Sequence, residues 1–318
     1  MIDIVLATYN GQAFLAEQIR SIRNNIGYHK WVHNIIVIDD GSTDNTQNIV
    51  ATLAEQDNRI FWIENNSGKK GPKDNFAFGL TKSKADYVML CDQDDIWLPH
   101  KIELSMQHLK QAESTSPPQT PLLIFSDKQI VDENLQPICS SYFKLKNINK
   151  EWYLKFNQLC QQNVISGCTM LFNRALIDKA LPMPEKAYMH DWWLALVAHR
   201  CGEIVFIDQA LIQYRQHQSN VIGAKKRGLF SLCFQFFKHL KAFKKSQQAI
   251  INQAIAFKAF EQKNKMIPDA TISALSSLNY LPIYKKISFF CKGNVTRSHF
   301  LGRLALLISL LTSKRQRH

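Results

Sequence analysis

Three short apolar runs near the start of the chain each stop abruptly in polar or acidic residues, and this pattern leaves few folds open. Residues 2–7 run into Thr8-Tyr9-Asn10, residues 35–38 into Asp39-Asp40, and residues 87–91 into Asp92-Gln93-Asp94-Asp95. Runs this short, with β-branched members and turn-forming ends, read as buried strands. Residues 60–63 add another strand. Between the strands the spacing turns helical: Phe14, Leu15, Ile19 and Ile22 recur at three- and four-residue intervals, and residues 75–80 are also helical. Ser42 or Thr43 is placed to cap a helix that runs toward Leu53. Strand–helix–strand units in series predict an α/β fold with a mostly parallel central sheet covered by helices on both faces. Such sheets bind ligands just beyond the carboxyl ends of their strands, which is where the acidic residues fall.

Farther along, residues 114–121 form a polar, proline-containing break and residues 122–125 resume as a strand. A helix is expected over residues 171–180, and separate late strands over 203–207 and 210–214.

Charge divides the 318 residues unevenly. Residues 223–318 hold 18 Lys and Arg against only Glu261 and Asp269, a net of +16, whereas the other 21 basic and 24 acidic groups leave residues 1–222 at −3. The expected organisation is therefore a body of residues 1–222 and a basic, helical region of residues 223–318. Within the latter, Leu229, Cys233, Phe236 or Phe237, and Leu240 alternate with Lys238, Lys241, Lys244 and Lys245, the composition of a helix lying at a membrane surface. A strongly basic region seeks an anionic partner, either a membrane or a nucleic acid. No stretch reaches the roughly 18 apolar residues that a membrane span needs. Seven cysteines without a CxxC pair point to reduced thiols in a cytosolic protein, and no basic segment precedes the first strand to suggest a secretory signal.

Three carboxylates within Asp92-Gln93-Asp94-Asp95 repel one another unless a cation neutralises them, and hard oxygen ligands of this kind suit Mg2+ or Mn2+. Any one acidic pair alone reads as a turn or a helix cap; three at equivalent strand ends read as a ligand crevice. No GxGxxG follows the first strand, which disfavours a dinucleotide enzyme. A nucleic-acid-binding protein would account for the basic region but not for acidic strand ends, which repel phosphate unless metal-bound.

The ordered motifs resemble family 2 glycosyltransferases of the GT-A fold, in particular rhamnosyltransferase-like and related O-antigen or capsule enzymes. They are Ala7-Thr8-Tyr9-Asn10-Gly11, residues 37–44 (Val-Ile-Asp-Asp-Gly-Ser-Thr-Asp), Asn75-Phe76, Asp92-Gln93-Asp94-Asp95-Ile96-Trp97, Phe125-Ser126-Asp127, Ser166-Gly167-Cys168, His190-Asp191-Trp192-Trp193 and Tyr214-Arg215-Gln216-His217. The resemblance covers residues 2–222 and implies a Rossmann-like sheet carrying a nucleotide-sugar site. It implies that Thr8, Tyr9 and Asp39 hold the nucleoside, with Asn10, Asp40 and Gln93 in the same site. Lys69 or Lys70 then reaches the phosphates or stays in solvent. Asp92 and Asp94 match the DxD signature, Asp94 as direct ligand of Mn2+ or Mg2+ and Asp92 facing the ribose or the metal's outer shell. His217 completes the metal shell or is an ordinary surface histidine. Asp191 is the general base of a single, inverting displacement, with Asp127 the next carboxylate to consider. Trp192 and Trp193 belong to the core, or one of them offers a stacking face to the acceptor sugar.

The expected activity is transfer of a hexose from dTDP-rhamnose or a UDP-hexose to a lipid-linked or cell-surface glycan. The expected place is the cytoplasm, peripheral on the anionic inner face of the cytoplasmic membrane, without a nucleic-acid partner. The rival reading is a non-catalytic nucleotide-sugar-binding protein, or a basic nucleic-acid-binding one.

Overall fold

A computed structural model describes residues 1–216, 236–292 and 300–312. In chain order the strands are β1 (Ile2–Thr8), β2 (Val32–Asp39), β3 (Ile60–Glu64), β4 (Tyr87–Asp92), β5 (Ile96–Trp97), β6 (Leu122–Val131), β7 (Pro137–Cys139), β8 (Met170–Asn173) and β9 (Glu203–Arg215). The longer helices among residues 1–216 are α1 (Leu15–Arg23), α3 (Thr46–Gln56), α4 (Pro72–Lys82), α5 (Lys101–Thr115), α8 (Arg174–Ala180) and α9 (His190–Cys201). Short helices α2 (Tyr28–Trp31), α6 (Tyr142–Lys146) and α7 (Phe156–Leu159) intervene. Four more follow: α10 (Phe236–Lys263), α11 (Ala270–Ser277), α12 (Ile283–Cys291) and α13 (Phe300–Thr312).

The sheet runs β3-β2-β1-β4-β8-β6-β9-β5, with β7 paired to β6. β1 to β4 are mutually parallel, and so are β6 and β9; β8 enters antiparallel between the two groups. Alternation along the strands sorts the core. Ile2, Ile4 and Leu6 pack with Leu15, Ile19 and Ile22 of α1, Val50 and Leu53 of α3, and Ile102, Met106 and Leu109 of α5. The opposite face of β1 and β2 receives α4, whose Gly79 lies so close that an added Cβ would stand 2.5 Å from Val5 Cγ1 and 2.8 Å from Ile38 Cγ1. Helices therefore cover both faces, as the strand–helix alternation predicts.

The chain divides into two compact units. The first comprises residues 1–147, 165–183 and 189–224; the second comprises residues 148–164, 184–188 and 225–318. The second unit has its own buried residues, among them Ile250, Ile251, Phe257 and Leu275. Phe156 packs on Phe257 with ring centroids 5.7 Å apart, and Tyr188 donates its backbone N–H to Gln253 Oε1 at 2.9 Å. Asp269 caps α11 by accepting from the N–H groups of Thr271 and Ile272 at 2.7 and 3.0 Å. Among the described residues no helix is long and apolar enough to cross a membrane.

Four local expectations are corrected. Residues 171–180 are not one helix: β8 ends at Asn173, whose side chain accepts from Leu122 N and Leu176 N and so starts α8. Neither Ser42 nor Thr43 caps α3, which begins at Thr46 after Asp44 accepts the Thr46 N–H at 3.0 Å. The two late strands are one continuous strand, β9, which pairs with β6 from Glu203 to Arg215 across register shifts beside Asp127 and with β5 at Ile212 and Gln213. The helix expected over residues 75–80 begins earlier, at Pro72, where a residue without an N–H fits the first turn.

Candidate active site

The parallel register sets the three strand ends side by side. Thr8 lies opposite Asp39 across β1 and β2, and Ala7 lies opposite Asp92 across β1 and β4. Gln93, at the third of these strand ends, clasps the first. Its Oε1 accepts from Thr8 Oγ1 at 2.7 Å and from Tyr9 N at 2.8 Å, while its Nε2 donates to Tyr9 O at 3.2 Å. Gly11 permits this approach, since a Cβ there would meet Thr8 Oγ1 at 2.6 Å and Gln93 Oε1 at 2.7 Å. Thr8 is thus buried and committed to Gln93, whereas the Tyr9 ring is 56% exposed above the strand ends.

Asn10 takes a left-handed conformation (φ 49°), a state Asn tolerates better than most residues. From there its backbone N–H donates to Ser42 Oγ, and its side-chain oxygen accepts from Thr43 N at 2.9 Å. Asp39 is buried and largely occupied by its own turn: Gly41 N and Ser42 N donate to Oδ2, and Ser42 Oγ donates to Oδ1. A carboxylate offers about four acceptor positions, so roughly one remains for a ligand. Asp40 holds the Gly-Lys-Lys-Gly loop, accepting from Gly71 N at 2.7 Å and pairing with Lys70 at 3.8 Å. Lys69 is exposed beside it. Of the two loop lysines, Lys70 is therefore the one fixed at the strand ends.

The acidic cluster is strongly coupled. Burial, then the charge of Asp94, pushes the half-buried Asp92 up to about 7. Asp95 is 1% exposed, and burial followed by the charges of Asp94 and Asp92 holds it well above the usual carboxylate range. Its Oδ1 accepts from Arg215 N at 3.3 Å, but its buried Oδ2 has no hydrogen-bond partner among the described residues. An orphaned carboxylate oxygen beside further carboxylates is the condition that a hard cation relieves.

Ligand atoms of Asp92, Asp95 and Cys168 lie within 4.8 Å of one another. Cys168 is a poor partner for such a cation, because burial pushes its thiol well above the ordinary range and keeps the proton on sulfur. The residues present therefore fit Mg2+ or Mn2+ held through carboxylates, with half-exposed Asp92 and Asp94 accessible to a phosphate-bound ion. Arg215 braces the cluster from behind, donating from Nε to Asp94 O at 3.0 Å and pairing through Nη2 with Glu17 at 2.5 Å. His217 lies outside the described residues.

Asp191 opens α9. Its Oδ1 accepts from Trp192 N at 2.6 Å and its Oδ2 from Gly167 N at 3.2 Å. Burial raises its carboxyl to about 6 against these hydrogen bonds and the charge of Lys128, which pull it down. Such a group is ionised near neutrality yet basic enough to accept a proton. Its neighbour His190 is different. It is buried against Phe76 at 4.1 Å between centroids, and burial lowers it to about 3, so it stays neutral. Trp192 and Trp193 are both core residues; Trp193 Nε1 donates to Ala180 O at 2.9 Å. Asp127 is engaged by Ser141 Oγ, Tyr142 N and Lys128 N, and so organises the start of α6.

Two lysines escape the sequence reading. Lys128, on β6, is 6% exposed and donates to Ser166 Oγ at 2.9 Å. Lys101, at the start of α5, is fully buried over the Trp97 ring, and burial pulls it down to about 8. Neither carries a clear mark in the chain: Lys128 lies in the polar stretch of residues 126–129 within its strand, and Lys101 follows the polar Pro99-His100 turn.

The glycosyl transferase family 2 model matches residues 3–180. The chain is 26% identical over 271 residues to an uncharacterized glycosyltransferase of Methanocaldococcus jannaschii, covering 82% of this chain and 85% of that one. It is 26% identical over 232 residues to the dTDP-rhamnosyl transferase RfbG of Shigella flexneri, covering 69% and 74%. A 106-residue stretch, 33% of each chain, is 33% identical to a GalNAc(5)-diNAcBac-PP-undecaprenol beta-1,3-glucosyltransferase of Campylobacter jejuni. Among solved structures, S. aureus TarS in complex with UDP-GlcNAc superposes with a TM-score of 0.57 at 14% identity, over 98% of this chain and 90% of that one. The mannosyltransferase PcManGT from Pyrobaculum calidifontis in complex with GDP-Man and Mn2+ gives 0.53 at 14% identity, over 98% and 87%.

Proposed function

Because the chain belongs to glycosyl transferase family 2, we propose that it is a metal-dependent, inverting transferase that moves a hexose from a nucleotide-sugar to a hydroxyl of a lipid-linked or oligosaccharide acceptor. The observation that carries this reading is Asp191, a half-buried carboxylate held by two backbone N–H groups and raised to about 6 within electrostatic reach of the acidic strand ends. Asp191 takes the proton from the acceptor hydroxyl as that oxygen bonds to the anomeric carbon. The bond from that carbon to the diphosphate breaks, and its electron pair leaves on the nucleotide. One displacement of this kind inverts the anomeric centre.

A bound Mn2+ or Mg2+ would supply Lewis-acid stabilisation of the charge that builds on the leaving nucleotide. Asp94 and Asp92 are its proposed ligands, with Asp95 adding negative charge from beneath. The exposed Tyr9 ring and the remaining acceptor position of Asp39 take the nucleoside, and Gln93 keeps the Tyr9 loop in place. Asn10, Asp40 and the Lys69–Lys70 loop line the phosphate side. Residues 1–222 form the catalytic part in this reading.

The likeness to RfbG supports dTDP-rhamnose as donor, with UDP-hexoses the alternative. The likeness to an undecaprenol-dependent glucosyltransferase supports a lipid-linked acceptor. The net of +16 in residues 223–318 favours contact with an anionic leaflet, at the inner face of the cytoplasmic membrane, where such acceptors are met. The deciding experiment is a thermal-shift screen of UDP, dTDP and GDP with and without Mn2+ or Mg2+, followed by product analysis. Metal-enhanced binding of one nucleotide and an inverted product are expected; a retained configuration refutes the single displacement.

A further inference from the structure

Lys128 is a buried cation whose charge is only partly answered. Register shifts on either side of Asp127 interrupt the pairing of β6 with β9, and such bulges re-aim the side chains beside them. The Lys128 ammonium lies 3.7 Å from the centroid of the Tyr214 ring and 4.6 Å from that of Tyr142. Of its three N–H donors one is used, on Ser166 Oγ. Burial disfavours its charge, but its surroundings, the carboxylates of Asp95 and Asp92 among them, outweigh burial and raise its pKa. Its charge acts in turn on Asp92, Asp95 and Asp191. Among the described residues it nevertheless forms no direct ion pair with any carboxylate. A buried ammonium with free donors, set near carboxylates it does not touch, is arranged for an anionic group to come between.

We propose that Lys128 contacts the diphosphate of the nucleotide donor, as a fixed cation built into β6 alongside the divalent metal. The two aromatic rings and Ser166 hold its position, so little reorganisation is needed when the anion arrives. The proposal rests on the nucleotide-sugar reading above.

A fixed positive charge here has opposite effects on the two ligands: it repels a divalent cation and attracts a diphosphate. The test uses the full chain and the variants Lys128→Met and Lys128→Gln, titrated calorimetrically with Mn2+ alone and then with UDP and dTDP at saturating Mn2+. Both variants should bind Mn2+ more tightly, by roughly three- to tenfold, and the preferred nucleoside diphosphate more weakly, by roughly ten- to a hundredfold. A loss of affinity for both ligands would point to local collapse and overturn the proposal. Unchanged nucleotide affinity in either variant would overturn it as well, while leaving the nucleotide-sugar reading intact if the wild-type chain binds normally. A wild-type chain that binds no nucleoside diphosphate with Mn2+ removes the premise itself, and the proposal with it.

Discussion

Replacing Asp191 by Asn should stop the reaction and stabilise the protein at the same time. The carboxyl rises from 3.8 to about 6 on folding, chiefly through burial. At about 1.4 kcal/mol per pKa unit, ionised Asp191 costs the folded state roughly 3 kcal/mol above pH 6. Asparagine removes that cost but has one acceptor oxygen for the two N–H groups of Trp192 and Gly167, forfeiting about 1 kcal/mol. The net gain near pH 8 is therefore about 2 kcal/mol, or roughly 4–8 °C in melting temperature for a unit of this size.

The pH dependence follows from the upward shift. A carboxyl whose folded pKa exceeds its unfolded pKa contributes its full stability below about 4 and loses it as pH rises through about 6. The advantage of the variant should thus be absent at pH 4, grow between pH 4 and 6, and level off above. Thermal melts across this range provide the assay, alongside turnover at saturating donor and acceptor. Wild-type turnover should rise with pH through about 6, and the variant should fall short by a factor on the order of 10² to 10⁴. A variant that is less stable than wild type at pH 8, or that turns over normally, would refute the reasoning.

The other predictions concern the metal, the packing and the basic region. Asp94→Ala should abolish the tightening of UDP or dTDP binding by Mn2+ in calorimetric titrations, whereas Asp191→Asn should leave it intact. Gly79→Ala should destabilise the first unit by about 1–3 kcal/mol in chemical denaturation, because the new methyl meets Val5 and Ile38 across a packed helix–sheet contact. Truncation at residue 223 would strip Phe156 of its partner Phe257, so membrane contact is better tested by charge. Paired Lys244→Gln and Lys245→Gln substitutions in the full chain should weaken flotation with anionic liposomes at low salt by on the order of 1 kcal/mol per lysine. Equal flotation of variant and wild type would remove that reading.

Much of the site was legible in the chain because its parts are local. Short apolar runs must be strands, acidic residues at their ends cannot enter the core, and parallel pairing then brings Thr8, Asp39 and Asp92 to one edge whatever the details of the loops. Periodicity likewise marked α1 and α4, though not their first residues, since caps depend on which side chain reaches a free N–H. Asp44 rather than Ser42 did so for α3. Tertiary structure decided what each polar residue does, because a side chain's role depends on partners far away in sequence. Gln93 is a clasp only because Thr8 and Tyr9 come within hydrogen-bond reach from 84 to 85 residues away. Asp127 and Asp191 look alike in the chain, yet Ser141 and Tyr142 engage the first while burial raises the second to about 6. Lys128 shows the same limit from the other direction: inside a strand it reads as an exposed charge. Only the closing of Tyr142, Ser166 and Tyr214 around it makes it a buried cation beside the acidic cluster. Composition and periodicity carry local geometry, whereas desolvation and electrostatic coupling are properties of the assembled fold, and those determine which of these residues can do chemistry.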